Sequence, residues 1–248
     1  MDKYGLIGYP LGHSFSISYF NEKFQNEGID AAYENFEIPD IKALPEVLDS
    51  NPELRGLNVT IPYKEKVISY LDALSPEARE IGAVNVIKVE HKSRKISLKG
   101  YNSDVIGFTK SIEPLLERYH KKALILGTGG ASKAIEYGLH SLGLETMKVS
   151  RSEKSGCIQY KQLKAEDMKE YNVIVNCTPC GMYPHTDECP TLPYEGMDTH
   201  TLLYDLIYNP DETLFMKKGK EQGATVKNGL EMLLLQAFAS WEFWNEDL

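Results

Sequence analysis

The chain has 248 residues, 42% hydrophobic and 25% charged, with a formal net charge of −9. That is the composition of an ordinary globular protein, long enough for one large domain or two modest ones. The acidic balance argues against a nucleic-acid partner, which needs a basic face, but it leaves room for an anionic small ligand held by local donors. The longest greasy stretch, residues 232–238, is interrupted by Gln236 and falls far short of the roughly 20 apolar residues that span a bilayer. No signal peptide is expected, because Asp2 and Lys3 run straight into an apolar strand-like segment. Four cysteines in a chain of this size point to a reducing, cytoplasmic compartment rather than a disulfide scaffold.

In chain order, residues 4–7 read as a strand and residues 16–27 as a helix stopped by Gly28. Residues 32–36 read as a short strand and 41–48 as a helix. In residues 57–61, Val59 and Ile61 alternate with Asn58 and Thr60, which predicts a strand with one buried face, ended by Pro62. Lys64 follows just past the strand end, where functional groups often lie in α/β folds. An amide, a hydroxyl and an amine therefore converge, which suits a small polyhydroxylated ligand with a group that gains or loses a proton. Residues 83–89 and 95–98 predict a hairpin around His91, Lys92, Ser93 and Arg94, and residues 105–119 a helix. The domain boundary is placed at about Asp104.

Beyond Lys121 and Lys122 the pattern changes. Residues 123–126 form a continuous apolar run, typical of a strand buried on both faces of a parallel sheet. Gly127-Thr128-Gly129-Gly130-Ala131-Ser132 follows, and then a helical stretch over 133–142. Strand, turn and helix are the setting in which such a glycine cluster binds a dinucleotide. The glycines permit close backbone approach, and the helix N-terminus offers free N–H groups to a pyrophosphate. After the next strand, residues 147–149, an NAD site usually carries Asp or Glu for the ribose 2′-hydroxyl. This chain has Ser150, Arg151 and Ser152 there. No carboxylate repels a phosphate and Arg151 can pair with one, so NADP is expected; the plain alternative is a solvated surface arginine. Residues 173–176 and 202–206 are further strands. The last helix, 229–244, carries Leu230, Leu233, Leu234, Ala237, Phe238 and Trp241 at helical spacing, a packing face from which Gln236 is the polar exception that could reach a ligand.

Cys177, Cys180, His185 and Cys189 come close to a Cys3His zinc spacing, one residue short in the last gap. Without supporting context such a match is weak, and no metal is expected. Asp104, at the start of a helix, reads equally well as an N-cap. Taken with Lys64 it gains a second role. A lysine normally carries its proton at neutral pH, and a neighbouring carboxylate keeps it charged and oriented. Such a lysine could protonate the alkoxide formed when hydride reaches a ketone, and accept that proton in reverse.

Taken together, Gly12-His13-Ser14-Phe15-Ser16, Asn58-Val59-Thr60-Ile61-Pro62-Tyr63-Lys64, Gly82-Ala83-Val84-Asn85, Asn102-Ser103-Asp104, Gly127 to Ser132, Asn176-Cys177-Thr178 and Gly229-Leu230-Glu231-Met232-Leu233 resemble the shikimate dehydrogenase family over nearly the whole chain. The resemblance implies two α/β domains. One is a substrate domain with a mixed sheet, residues 1–103 and 229–248, to which the C-terminal helix returns. The other is a Rossmann-like NADP domain, residues 104–228. It implies NADPH-dependent reduction of 3-dehydroshikimate to shikimate, with Lys64 and Asp104 as the catalytic pair. Ser14, Ser16 and Tyr208 would hold the substrate carboxylate, and Asn58, Thr60, Asn85 and Gln236 the ring hydroxyls. Taken singly, Ser14, Ser16 and Asn85 read more readily as turn or cap residues. The cofactor would meet Gly127, Gly129, Gly130, Ala131, Ser132, Ser150, Arg151, Ser152, Thr178, Gly229 and Met232. The expected partners are the small-molecule substrate alone, in a monomer or homodimer.

Three features depart from the family pattern: Phe15 and Ile17 around the paired serines, Tyr101 where Asp is common, and a short segment from Arg151 to Tyr171. That segment has room for a strand over 157–160 and one short helix, so the helix after the second strand of the nucleotide domain should be lost or reduced to a turn. Two other readings remain: a quinate/shikimate enzyme with broader NAD(P) use, and a non-catalytic NADP-binding redox sensor. The sensor would keep the glycine turn but has no need of Lys64 and Asp104.

Overall fold

The computed structural model describes residues 1–12, 14–92 and 95–246; His13 of the paired-serine motif and Ser93 and Arg94 of the hairpin turn lie outside the described residues. The chain divides into two compact units, residues 1–103 with 237–248, and residues 104–236. Among the described residues, each unit carries one six-stranded sheet.

The first unit contains β1 (Asp2–Gly8), α1 (Phe15–Glu27), β2 (Ala31–Glu37), α2 (Leu44–Ser50), β3 (Leu54–Val59), β4 (Ala73–Leu74), α3 (Pro76–Ile81), β5 (Val86–Lys92) and β6 (Lys95–Tyr101). The strand order is β2-β1-β3-β5-β6-β4, with β1 parallel to β2 and β3, and β5 antiparallel to β3 and β6. Gly28 ends α1 at φ 66°, donating its N–H to the last-turn carbonyls, as its position predicts. Ser75 caps α3 by accepting from Ala78 N–H, with Pro76 in the first turn. One sheet face buries Ile7, Leu44, Leu57, Val59 and Ile87. The other buries Tyr4, Phe20, Phe24 and Tyr33 together with Ala237 and Trp244. Gly56 has no side chain because the Trp244 indole lies flat against its backbone, held by Nε1–H donating to Ile87 O at 3.1 Å.

One expectation fails here. β3 stops at Val59, and Ile61 is not on a buried face but 74% exposed. β3 is a central strand of a sheet covered on both faces, so Asn58 is buried along with Val59. The apparent alternation continued past the end of the ladder, into the segment that Pro62 turns out of the sheet.

The second unit contains α4 (Asp104–Ile112), β7 (Lys122–Leu126), α5 (Gly130–Ser141), β8 (Glu145–Ser150), β9 (Cys157–Gln159), α6 (Asp167–Glu170), β10 (Val173–Asn176), β11 (Leu202–Asp205), α7 (Leu214–Glu221), β12 (Thr225–Lys227) and the start of α8 (Leu230–Asn245). Every pair is parallel, in the order β12-β11-β10-β7-β8-β9. This is the doubly wound Rossmann order, and it reverses between β7 and β10, the place where such sheets leave a crevice for a ligand. As the short segment predicts, no helix joins β8 to β9. A 3-10 turn over Tyr160–Gln162 and the single-turn α6 follow.

Two helices differ from expectation. α4 ends at Ile112 instead of running to Tyr119, because Pro114 lacks an N–H and crowds the preceding carbonyl; only a 3-10 turn, Glu113–Leu115, continues. In α8, Leu230, Leu234 and Phe238 are 40%, 40% and 48% exposed. The buried stripe is instead Met232, Ala237, Ala239, Ser240 and Trp244. α8 is apolar almost all round, so its spacing could not say which stripe would be covered. No described helix is long and apolar enough to cross a membrane.

Candidate functional site

In the second unit, the fully buried residues 123–126 of β7 deliver the chain to Gly127, whose φ of +106° lies in the region that side chains avoid. A Cβ there would stand 3.0 Å from Thr178 Cγ2. Gly129 is different. Its φ is an ordinary −84°, and a Cβ would meet no protein atom within 4 Å. Nothing in the protein itself requires glycine at 129, so the space beside it at the α5 N-terminus fits a group from outside. Gly130 and Ala131 open the first turn of α5, where backbone N–H groups lack helical partners. Ser132 is buried and its hydroxyl donates to Gly129 O at 2.6 Å, so this side chain closes the turn.

Around the turn, Thr178 follows β10 and donates both its N–H and its hydroxyl to Asn176 Oδ1, at 3.0 and 2.7 Å. Met232 is buried, and Gly229 sits so close to the Leu206 carbonyl that any Cβ would overlap it. At the end of β8, Ser150 is buried and accepts from Ser152 N–H, while Arg151 and Ser152 are exposed. The Arg151 charge opposes the rise of the Tyr160 phenol, which burial pushes up to about 12. In the segment after Ser152 there is a surface hollow of about 450 Å³, lined in part by Glu153, Lys154, Gln159 and Lys161.

Asp205, at the end of β11, is fully buried, and burial raises its carboxyl from 3.8 to about 6 against the hydrogen bonds from Thr213, Ile207 and Asn176. The folded chain thus keeps this proton to higher pH than the unfolded chain. The associated stability is full below the unfolded value and is lost as pH rises through the folded one. Asp205→Asn removes the titration. Wild-type stability relative to that variant should fall by about 1 kcal/mol from about pH 5 to about pH 8, read from denaturant midpoints. A difference that stays flat or widens in the wild type's favour would refute it.

The first unit gathers a buried polar chain. The Ser16 hydroxyl lies beside the Tyr33 phenol. Tyr33 in turn donates to Asn58 Oδ1 at 2.8 Å. Asn58 Nδ2 donates to Ser240 Oγ at 3.0 Å and to Asn85 O at 3.3 Å. Asn85 Nδ2 donates to Ser103 Oγ at 2.9 Å, and Asn85 Oδ1 accepts from Ser103 N–H at 2.7 Å. Ser103 Oγ and Ser240 Oγ lie 3.1 Å apart. Of the predicted site residues, Ser16, Asn58 and Asn85 are therefore brought together. Tyr33, Ser103 and Ser240 were missed as members of this set. The one available signal was Ser240, a small polar residue among the apolar side chains of α8.

Thr60 lies just beyond β3 and packs on Gly8, where a Cβ would come within 2.5 Å of Thr60 Cγ2. Ser14 stands at the N-cap of α1, yet its side chain makes no capping bond. Tyr63 is buried with its hydroxyl on Ile38 O at 2.6 Å, which anchors the segment carrying half-buried Lys64. Asp104, Tyr208 and Gln236 belong to the second unit. Asp104 is buried at the first position of α4, where the helix dipole favours a carboxylate. Tyr208 is exposed, and Gln236 Nε2 donates to Leu233 O at 2.9 Å. The four cysteines are free thiols, and burial raises those of Cys177 and Cys180. Among the described residues, no three His, Cys, Asp or Glu side chains are placed to hold a metal ion.

Residues 6–87 match the family profile described as the shikimate dehydrogenase substrate binding domain. A Carboxydothermus hydrogenoformans protein named shikimate dehydrogenase (NADP(+)) is 38% identical over 257 residues, covering 97% of this chain and 90% of that protein. A Clostridium beijerinckii protein of the same name is 37% identical, covering 99% and 93%. The crystal structure of shikimate 5-dehydrogenase from Thermus thermophilus, in complex with NADP(H) and shikimate, superposes with a TM-score of 0.85 at 30% identity, covering 100% of this chain and 95% of that one. With fold, motifs and near full-length similarity in agreement, the chain belongs to the shikimate dehydrogenase family.

Proposed function

We propose that the protein catalyses the reversible NADPH-dependent reduction of 3-dehydroshikimate to shikimate. The observation that carries this reading is the glycine turn after β7, set where the strand order reverses, in a chain that matches NADP-dependent shikimate dehydrogenases almost end to end. The bound nicotinamide supplies the hydride. Lys64 then donates a proton to the developing alkoxide on the ring and recovers it in the reverse direction, with Asp104 as its carboxylate partner. Asn58, Thr60, Asn85 and Gln236 bind ring hydroxyls, and Ser14, Ser16 and Tyr208 the carboxylate. This division suits a polyhydroxylated acid, because a buried ligand hydroxyl left without a partner is costly. The turn from Gly127 to Ser132 receives the pyrophosphate, with Thr178, Gly229 and Met232 beside the cofactor. Ser150, Arg151 and Ser152 receive the 2′-phosphate. Four free thiols are consistent with a cytoplasmic setting.

The presence of both Ser14 and Ser16 favours shikimate over quinate, and the joint presence of Lys64 and Asp104 counts against a non-catalytic sensor. Following reduced-nicotinamide absorbance with shikimate or quinate, and with NADP or NAD, separates these readings. Turnover is expected with shikimate and NADP. NADPH binding without turnover on either acid would overturn the assignment.

Gly129→Ala gives a second test. The position has an ordinary φ and open space, so the variant should melt within about 1 kcal/mol of wild type. An added methyl where the pyrophosphate must approach should nevertheless weaken NADPH at least about tenfold. Unchanged cofactor affinity in a stable Gly129→Ala protein would place the nucleotide elsewhere.

A further inference from the structure

The proposed reaction makes no use of the Asp205 carboxylate, although it is fully buried at the C-terminal end of β11, one strand away from the switch point of the sheet. Burying a carboxylate is costly unless its oxygens are satisfied. Asp205 Oδ1 accepts from Asn176 Nδ2 at 3.0 Å and from Ile207 N–H at 3.1 Å, and Oδ2 accepts from Thr213 Oγ1 at 2.6 Å. An ionised carboxylate only accepts, so it dictates which way the Asn176 amide points. The flipped amide would set two acceptors against each other. With Nδ2 donating to Asp205 at 3.0 Å and only distantly, at 3.5 Å, to Cys180 O, Asn176 Oδ1 faces Thr178 and takes both its N–H and its hydroxyl. Thr178 in turn packs on Gly127, and Cys177 N–H donates to Leu126 O at 2.9 Å, tying the same loop to the end of β7. The ends of three neighbouring strands are thus connected, from β11 through β10 to the glycine-rich turn.

We propose that Asp205 is a positioning residue for the cofactor: by orienting Asn176 it holds Thr178 against Gly127 and keeps the glycine turn in the form that receives the pyrophosphate. This rests on the dinucleotide reading of that turn.

The test is the dissociation constant of NADPH for the full chain, measured without substrate from nucleotide fluorescence. Asp205→Ala should weaken binding about tenfold or more. Asp205→Asn should stay within about threefold of wild type, since its Oδ1 still accepts from Asn176 while its Nδ2 donates to Thr213. Thr213→Val is the structural control. It removes a bond to the other carboxylate oxygen, outside the path to Asn176, so it should lower Tm yet keep NADPH affinity within about threefold. Wild-type affinity in a folded Asp205→Ala protein would overturn the role, as would equal losses in Asp205→Ala and Thr213→Val. If Asp205→Ala does not fold, Asn176→Ala cuts the same path one link nearer the turn. It should show the same loss, and unchanged affinity there also overturns the role. A wild-type protein that does not bind NADPH would instead overturn the cofactor reading itself, a result seen before any variant is made.

Discussion

Lys64→Ala is expected to lower kcat by about 10²–10⁴-fold with little change in NADPH affinity, the usual cost of losing a positioned proton donor. Lys64 is only half-buried and follows a segment pinned by Tyr63, so the folded state should survive the truncation. The loss belongs in the chemical step because the ammonium matters most when hydride arrival places negative charge on the ring oxygen. Single-turnover kinetics would separate this from slow product release. A defect confined to KM would mean that Lys64 only binds substrate, and the mechanism would then need another acid.

Arg151→Ala should weaken NADPH by about 10–100-fold and leave NADH nearly untouched, the range expected for losing a charge-assisted contact to a phosphate. Arg151 is exposed at the end of β8, flanked by two serines, and the region lacks the helix that would normally follow. Because the site is open to solvent, the contact should be screened, and the preference for NADPH should shrink as salt is raised. Parallel titrations of both cofactors give the answer directly. Equal losses for the two nucleotides would remove the phosphate assignment and leave Arg151 as a surface charge.

The parts of the fold that were legible in the sequence were those set by local chemistry. The uninterrupted apolar run before Gly127 announced a strand covered on both faces, and residues 123–126 of β7 are fully buried. Gly28 announced the end of α1. The short stretch after Arg151 announced the missing helix between β8 and β9. The errors have physical causes too. Ile61 continued an alternating pattern that the ladder itself did not follow, and Pro114 cut α4 short where hydrophobic periodicity carried on. Leu230, Leu234 and Phe238 keep helical spacing, but α8 offers apolar side chains in almost every direction.

The candidate site divides in the same way. Asn58, Lys64, Asp104 and the glycine turn stand out because each sits at a strand end or helix start, and such positions are set by neighbours in the chain. Some hydrogen-bond partners around them are remote in the chain: Ser240 lies 182 residues from Asn58, and, in the loop beside the glycine turn, Asp205 lies 29 residues from Asn176. Nothing near those residues in sequence hints at the pairing.

The chain alone determined its class, the glycine-rich turn after β7 and the amide, hydroxyl and amine side chains on which the proposed site draws, because these follow from short-range stereochemistry and composition. Only the tertiary structure decided which amide faces which hydroxyl, which stripe of α8 is covered, and that the buried Asp205 carboxylate is linked through Asn176 to Thr178 beside the glycine turn. Hydrogen-bond direction and burial depend on groups that meet only once the sheets have formed.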